Sequence, residues 1–415
     1  MGPSYRSSYQ IKQLPPESND LEVRVLSPKS AHGSPGISHT LSSRRRRPQS
    51  RRAFKWIFAG ILALCLLVFF IRVSSRMKMA HSGHIDHDPI DVVAVSLKPS
   101  CVTREAVASL NRYLQPRAIH IVTTSIDKCR VFDAFASNVV CHLQDDFVEG
   151  LTVDRVGDFM QQNLGVDQHK QVKGRDLAGW YMQQFIKLGS ILALPGLSEY
   201  YVIWDLDMVL LSPVQLLWRN GDRAHGSDDG SATSAAAMSA GQSQIQTLVN
   251  IGGSIAPGYI ASFQRLTKRS LEFAPDGTSF VTHWMVVYKP YLREFLKDLS
   301  GGGKGHLDWV WRILGAVDPR SADLGFSEYA SYISWVRQHY PQSQILAPRK
   351  TWVRHPFGQT AVRLMRLIRA DQCCCPSRLM LQLLRTAGYV YTGYEVGHIS
   401  ECRYDAPEHA KSYGL

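Results

Sequence analysis

Acidic residues are nearly missing from the start of this chain. The first 80 of its 415 residues hold 14 Lys and Arg against 3 Asp and Glu, a local charge of +11, whereas residues 81–415 hold 33 against 32. The overall charge of +12 is therefore not a basic face spread over a folded domain. That excludes nucleic acid as the partner the charge points to and leaves a membrane pattern. No Asn-x-Ser/Thr sequon occurs, so N-glycosylation gives no support for lumenal exposure. "GGGKG" (301–305) lacks the GxxxxGK[ST] frame, which excludes a P-loop. Arg6 stands where a myristoylation signal needs Ser or Thr. Cysteine is sparse. Cys65 lies in an apolar run, and the other seven (Cys101, Cys129, Cys141, Cys373, Cys374, Cys375 and Cys402) are odd in number, so at least one thiol stays unpaired within the chain. Three adjacent cysteines at 373–375 lack the spacing of a zinc site.

Long hydrophobic runs are also scarce. "WIFAGILALCLLVFFI" (Trp56–Ile71) has 16 residues without a charge, bracketed by Lys55 and Arg72. At about 1.5 Å per residue it suits a thin bilayer with its flanking cations snorkelling. The leader before it is too long for a cleaved signal peptide. "RRRRPQSRR" precedes the span and only Arg72, Arg76 and Lys78 follow closely, so the N-terminus stays cytoplasmic. The expectation is a single-pass type II membrane protein of the Golgi or endoplasmic reticulum with its catalytic domain lumenal. Residues 1–52 form a disordered basic cytoplasmic tail, 53–73 the transmembrane helix, 74–89 a stem, and 90–415 the folded domain, with a low-complexity insertion at 220–244. The stem's His81, His84 and His87 beside Asp86 and Asp88 read as a solvated spacer, because an unstructured linker gives a metal no rigid surroundings.

From residue 90 on, apolar β-type runs alternate with helical periodicity. "DVVAVSL", "AIHIVTT" and "NVVCHLQDD" read as strands; "VTREAVASLNRYL" and "GWYMQQFIKLGSILAL" read as helices. The fold class is α/β with a mostly parallel sheet flanked by helices, and ligands bind such sheets beyond the C-terminal ends of the strands. There "YYVIWDLDMVLLSP" (200–213) carries Asp205 and Asp207 out of a buried strand. Alternation predicts both on one face of an extended segment. Two like charges that close need a cation or a shared proton.

Two enzyme classes use this pattern. A haloacid-dehalogenase-type phosphatase would use Asp205 as nucleophile and Asp207 as acid/base. A GT-A-type glycosyltransferase would use both to hold a divalent ion that grips a nucleotide-sugar diphosphate. Roughly 115 residues of α/β sequence precede the motif, which suits the second class. The phosphatase also needs a later acidic pair, and the adjacent Asp228 and Asp229 fall in the insertion. A third reading is a non-catalytic, carbohydrate-binding membrane protein.

"GRDLAGWYMQQFIKL", "YYVIWDLDMVLLSP", "SFVTHWMVVYKPYL", "LGFSEYASYISWV" and "GYVYTGYEVGHI" occur in that order. Together they resemble a family of predicted GT-A-type nucleotide-sugar glycosyltransferases, over roughly residues 90–400. The resemblance implies a GT-A-like sheet, a Mn²⁺ or Mg²⁺ ion, a nucleotide-sugar donor, and a glycan, glycoprotein or lipid acceptor. It also implies His398 as a third metal ligand from near the C-terminus, the alternative being a structural His beside Glu395, itself a candidate for the donor side. On α-helical spacing Trp180, Gln184 and Lys187 share one face, which either meets the donor together with Arg175 or is simply solvated. Asp145 either touches base or ribose or caps the next helix. His283 is a donor-site candidate or a packed histidine. Glu328 is the candidate general base on the acceptor side, or a residue supporting an N-cap at Ser327.

Overall fold

A computed structural model describes residues 90–145, 147–167, 171–172, 175–219, 245–355 and 375–394. The tail, the expected membrane span, the stem, the 220–244 insertion, Asp228, Asp229, Glu395 and His398 lie outside them. Among the described residues no helix is long and apolar enough to cross a membrane.

The chain begins with a βαβαβ run: β1 (Asp91–Val95), α1 (Cys101–Tyr113), β2 (Ile119–Thr123), α2 (Ile126–Asp133) and β3 (Val139–Leu143). Helix α3 (Val153–Leu164) and a two-residue ribbon, β4 (Gln171–Val172) with β5 (Arg175–Asp176), lead into α4 (Leu177–Ala193). Then come β6 (Tyr200–Trp204), β7 (Met208–Leu210), β8 (Leu217–Trp218), β9 (Gln246–Val249), α5 (Pro257–Thr267), β10 (Trp284–Tyr288), α6 (Lys289–Ser300) and α7 (Asp308–Ala316). A 3₁₀ segment (Pro319–Leu324), α8 (Glu328–His339), β11 (Gln344–Leu346), β12 (Trp352–Val353), α9 (Arg378–Thr386) and β13 (Tyr391–Gly393) complete it.

The central sheet has the order β10-β6-β1-β2-β3. Strands β6, β1, β2 and β3 are parallel, and β10 runs antiparallel at the edge beside β6. Strand β1 is buried along its whole length, which is why "DVVAV" reads as one continuous apolar run. Val93 and Val95 face a core shared with α3 to α8, while Val92 and Ala94 face α1, β7, Trp352 and Tyr391. Its one charged member, Asp91, is buried too and is satisfied by Arg117 and the Ser198 amide.

Several helix starts are set by side-chain caps. Ser100 and Thr103 form a reciprocal capping box on α1, and Thr152 caps α3. Asp176 accepts from the Gly179 amide at the start of α4, and Ser327 accepts from the Ala330 amide at the start of α8. Helix α4 is apolar nearly all round and is sandwiched between the sheet and other helices. Gly189 allows that fit: a Cβ there would lie 2.8 Å from Val148 and 3.6 Å from Trp309.

Two disulfides join Cys101 to Cys375 and Cys129 to Cys141, closing separations of 274 and 12 residues. Chain entropy assigns the long closure about 5.6 kcal/mol and the short one about 2.8 kcal/mol. Cys101→Ser should therefore lower the denaturant midpoint more than Cys141→Ser does. Equal shifts would show that loop closure is not what the long bond contributes.

Candidate metal centre and its supporting residues

Strand β6 ends at Trp204, one residue before the first acid. The expectation of one extended segment carrying both acids is corrected here. Residues 205–208 form a turn closed by the Met208 amide on the Asp205 carbonyl at 2.9 Å. The chain changes sheet across this turn, because β7 pairs with β13 in a second, three-stranded sheet of order β12-β13-β7. The two carboxylates are brought together by a turn, not by strand alternation.

Antiparallel pairing supplies the third group. Register runs from Tyr200↔Tyr288 to Trp204↔Trp284, and the Asp205 amide continues it by donating to the His283 carbonyl at 2.9 Å. His283 is thus held opposite Asp205. Its φ of +68° is unusual for a residue with a Cβ, and the surrounding pairing over-determines it. Nδ1 of His283 lies 3.1 Å from Oδ2 of Asp205. Trp352 packs against its ring in a T-shaped arrangement, with centroids 5.5 Å apart, and in turn stacks on Tyr391.

Asp205, Asp207 and His283 are all half-buried, and one ligand atom from each lies within 4.8 Å of the others. Among the described residues this is the one group of three such side chains. The donor set, two carboxylates and an imidazole, suits a divalent first-row ion. The residues present therefore fit a divalent cation.

Beneath this group lies a buried ion-pair network. Nζ of Lys187 on α4 donates to Oδ1 of Asp205 at 2.5 Å, to Oε1 of Glu328 at 2.8 Å and to the Tyr329 hydroxyl at 3.3 Å. The Tyr329 hydroxyl donates to the same Oδ1 at 2.8 Å. Burial pushes the Asp205 carboxyl up, but the Lys187 charge and the His283 hydrogen bond outweigh it and hold the group well below the usual carboxylate range. Burial likewise works against the Lys187 charge, and Asp205 and Glu328 together reverse that, raising its pKa above the ordinary lysine value. Stabilisation from a raised lysine is complete below its unfolded value of about 10.4, so it is constant across physiological pH. Burial, then the Asp205 and Glu328 charges, raise the Tyr329 phenol well above its usual value, so it remains a donor.

The expected site residues fall into three groups. Asp205, Asp207 and His283 come together at the turn. Gln184, Lys187 and Glu328 come together below it: the Gln184 side-chain oxygen accepts the Glu328 amide at 3.2 Å. That face of α4 is therefore not solvated: Lys187 and the Gln184 side-chain oxygen meet buried partners, and Trp180 at its start is half-buried in a T-shaped contact with Tyr181. Glu328, expected to be open to an acceptor, is only 4% exposed, and the Ser327 N-cap that starts α8 carries it inward. Asp145 is exposed after β3, and the next helix is capped by Thr152 instead. The Arg175 side chain, Glu395 and His398 lie outside the described residues. Tyr394, the last residue before Glu395, donates its amide to the Asp207 carbonyl at 2.7 Å. Two residues of the site, Tyr329 and Trp352, do not stand out in the sequence. Tyr329 follows Glu328 directly, which is the one signal available for it.

No protein-family model matches the sequence, and comparison with curated proteins found no match. Among solved structures, mouse xyloside xylosyltransferase 1 in its apo form aligns with a TM-score of 0.35 at 13% identity, covering 77% of this chain and all of that one. The galactosyltransferase LgtC, with donor and acceptor sugar analogs, aligns at 0.34 and 10% identity, covering 74% of this chain and 87% of that one. The PaToxG glycosyltransferase aligns at 0.28 and 11% identity, over 81% of this chain and 94% of that one.

Proposed function

We propose that the chain is a divalent-metal-dependent glycosyltransferase that moves a sugar from a nucleotide-diphosphate sugar to a glycan, glycoprotein or lipid acceptor. The observation that carries this is the Asp205–Asp207–His283 group at the C-terminal end of a strand in a mostly parallel sheet. Asp205, Asp207 and His283 would hold Mn²⁺ or Mg²⁺. When bound, the ion supplies Lewis acidity and neutralises charge on the departing nucleoside diphosphate. The protein's own part is to fix the carboxylates: the turn places Asp207, the β6–β10 register places His283, and Lys187 with Tyr329 hold Asp205. His398 remains a proposed further ligand. It lies four residues beyond Tyr394, within about 14 Å of extended chain, and Tyr394 is already bonded to Asp207.

The phosphatase reading fits less well. Asp205 follows the fourth strand in chain order of the central sheet, not its first. Two donors on Oδ1 of Asp205, Lys187 and Tyr329, and the Lys187 charge lower the basicity of the carboxylate, which leaves a poor nucleophile. Glu328 is proposed to act through Lys187 and not as an acceptor-side base.

A screen of nucleotide-sugars with the full-length protein should show release of nucleoside diphosphate only with Mn²⁺ or Mg²⁺. Release of phosphate from a phosphomonoester would select the phosphatase, and no turnover of either would select the carbohydrate-binding protein. A type II anchor through 53–73, with the domain in the Golgi or endoplasmic reticulum lumen, belongs to the same proposal. The +11 charge around one uncharged run supports it, as do two disulfides, which persist in oxidising compartments. Proteolysis of sealed microsomes should trim residues 1–52 and spare the rest. Digestion of the C-terminal domain with a protected N-terminus would reverse the orientation.

A further inference from the structure

The two oxygens of Asp205 face different partners. Oδ1 receives both the Lys187 ammonium, at 2.5 Å, and the Tyr329 hydroxyl, at 2.8 Å. Oδ2 faces His283. The ammonium is itself anchored from below by Glu328 and lies over the Tyr329 ring, 4.8 Å from its centroid. The lysine side chain is 7% exposed and that of Glu328 5%, so neither is free to swing out to solvent. A carboxylate whose one oxygen is saturated by two buried donors has only the other to give a metal.

Denticity matters to the choice of ion. Ca²⁺ takes six to eight oxygens at about 2.3–2.6 Å and commonly uses carboxylates through both oxygens, whereas Mg²⁺ demands six ligands at about 2.0–2.1 Å in near-octahedral geometry. We propose that Lys187, together with Tyr329, is a positioning clamp that keeps Asp205 a one-oxygen ligand and so makes the site select a small six-coordinate cation, Mn²⁺ or Mg²⁺, over Ca²⁺. The clamp rests on the metal-site reading above and specifies which ion that site takes.

Two variants test it in the full-length protein in detergent, titrated calorimetrically with Mn²⁺ alone and Ca²⁺ alone. Tyr329→Phe removes one hydroxyl and no charge. The clamp predicts that it lowers the Mn²⁺/Ca²⁺ affinity ratio at least threefold with little change in unfolding midpoint. Lys187→Met removes a positive charge beside the site. Coulomb attraction alone would then tighten Mn²⁺ binding, whereas loss of the clamp weakens it at least tenfold while Ca²⁺ binding falls less. Should Lys187→Met fail to fold, Tyr329→Phe decides. An unchanged ratio in folded Tyr329→Phe, or tighter Mn²⁺ binding by folded Lys187→Met, overturns the clamp while leaving the metal site standing. Wild-type protein that binds neither ion removes the metal site and the clamp with it.

Discussion

Asp207→Asn abolishes Mn²⁺-dependent binding of a nucleoside diphosphate and leaves the domain folded. The substitution keeps the size of the side chain and the Asp205–Met208 turn, whose closing bond is between backbone groups. What it removes is one of two anionic ligands from a set of three donors. A metal held by one carboxylate and one imidazole binds far more weakly, and the diphosphate loses the cation that offsets its charge. His283→Ala should weaken binding less, because water can replace one neutral ligand, and the same comparison with His398→Ala ranks the two imidazoles. Calorimetric titration of nucleoside diphosphate with and without Mn²⁺ measures this. Binding that is metal-independent and indifferent to Asp207→Asn would return the Asp-x-Asp turn to a structural role.

Glu328→Ala costs about 3–5 kcal/mol of folding stability, as expected when one partner of a buried ion pair is removed. Lys187 would keep Asp205 but lose the anchor on its other side, and a void would open at the first turn of α8. Denaturant unfolding with a matched Glu328→Gln variant measures the effect. Gln preserves the shape and a hydrogen-bond acceptor for Lys187, so it should recover part of the loss. A Glu328→Ala protein of full stability whose transfer rate alone falls by about 10²–10⁴ would restore the general-base role that the sequence suggests. The two outcomes differ because a base needs access to an acceptor hydroxyl, and this carboxylate is sealed under Asp205.

Much of the frame is legible in the residues themselves. The starts of the strands at 91, 119, 139 and 200 and of the helices at 101 and 177 can be placed within one or two residues; for β1 and β6 the reason is that parallel strands buried on both faces leave unbroken apolar runs. The boundary of "YYVIW" is harder. The apolar residues Leu206 and Met208–Leu211 continue past the acids and disguise a turn as a strand. Lys187 stands out for its chemistry, yet the sequence points it at the donor. Its helical neighbours give its face, not what that face meets.

Sequence by itself determined the charge asymmetry around residues 56–71, the alternation that makes an α/β sheet, and the presence of two acids at the end of a buried strand. Those depend on local composition and periodicity. Tertiary structure alone decided that His283, 78 residues on, stands opposite Asp205, and that Lys187 and Glu328, 141 residues apart, close on each other beneath it. Strand register and helix packing set those meetings. Both depend on where a whole element docks, and no local pattern around His283 or Lys187 encodes that.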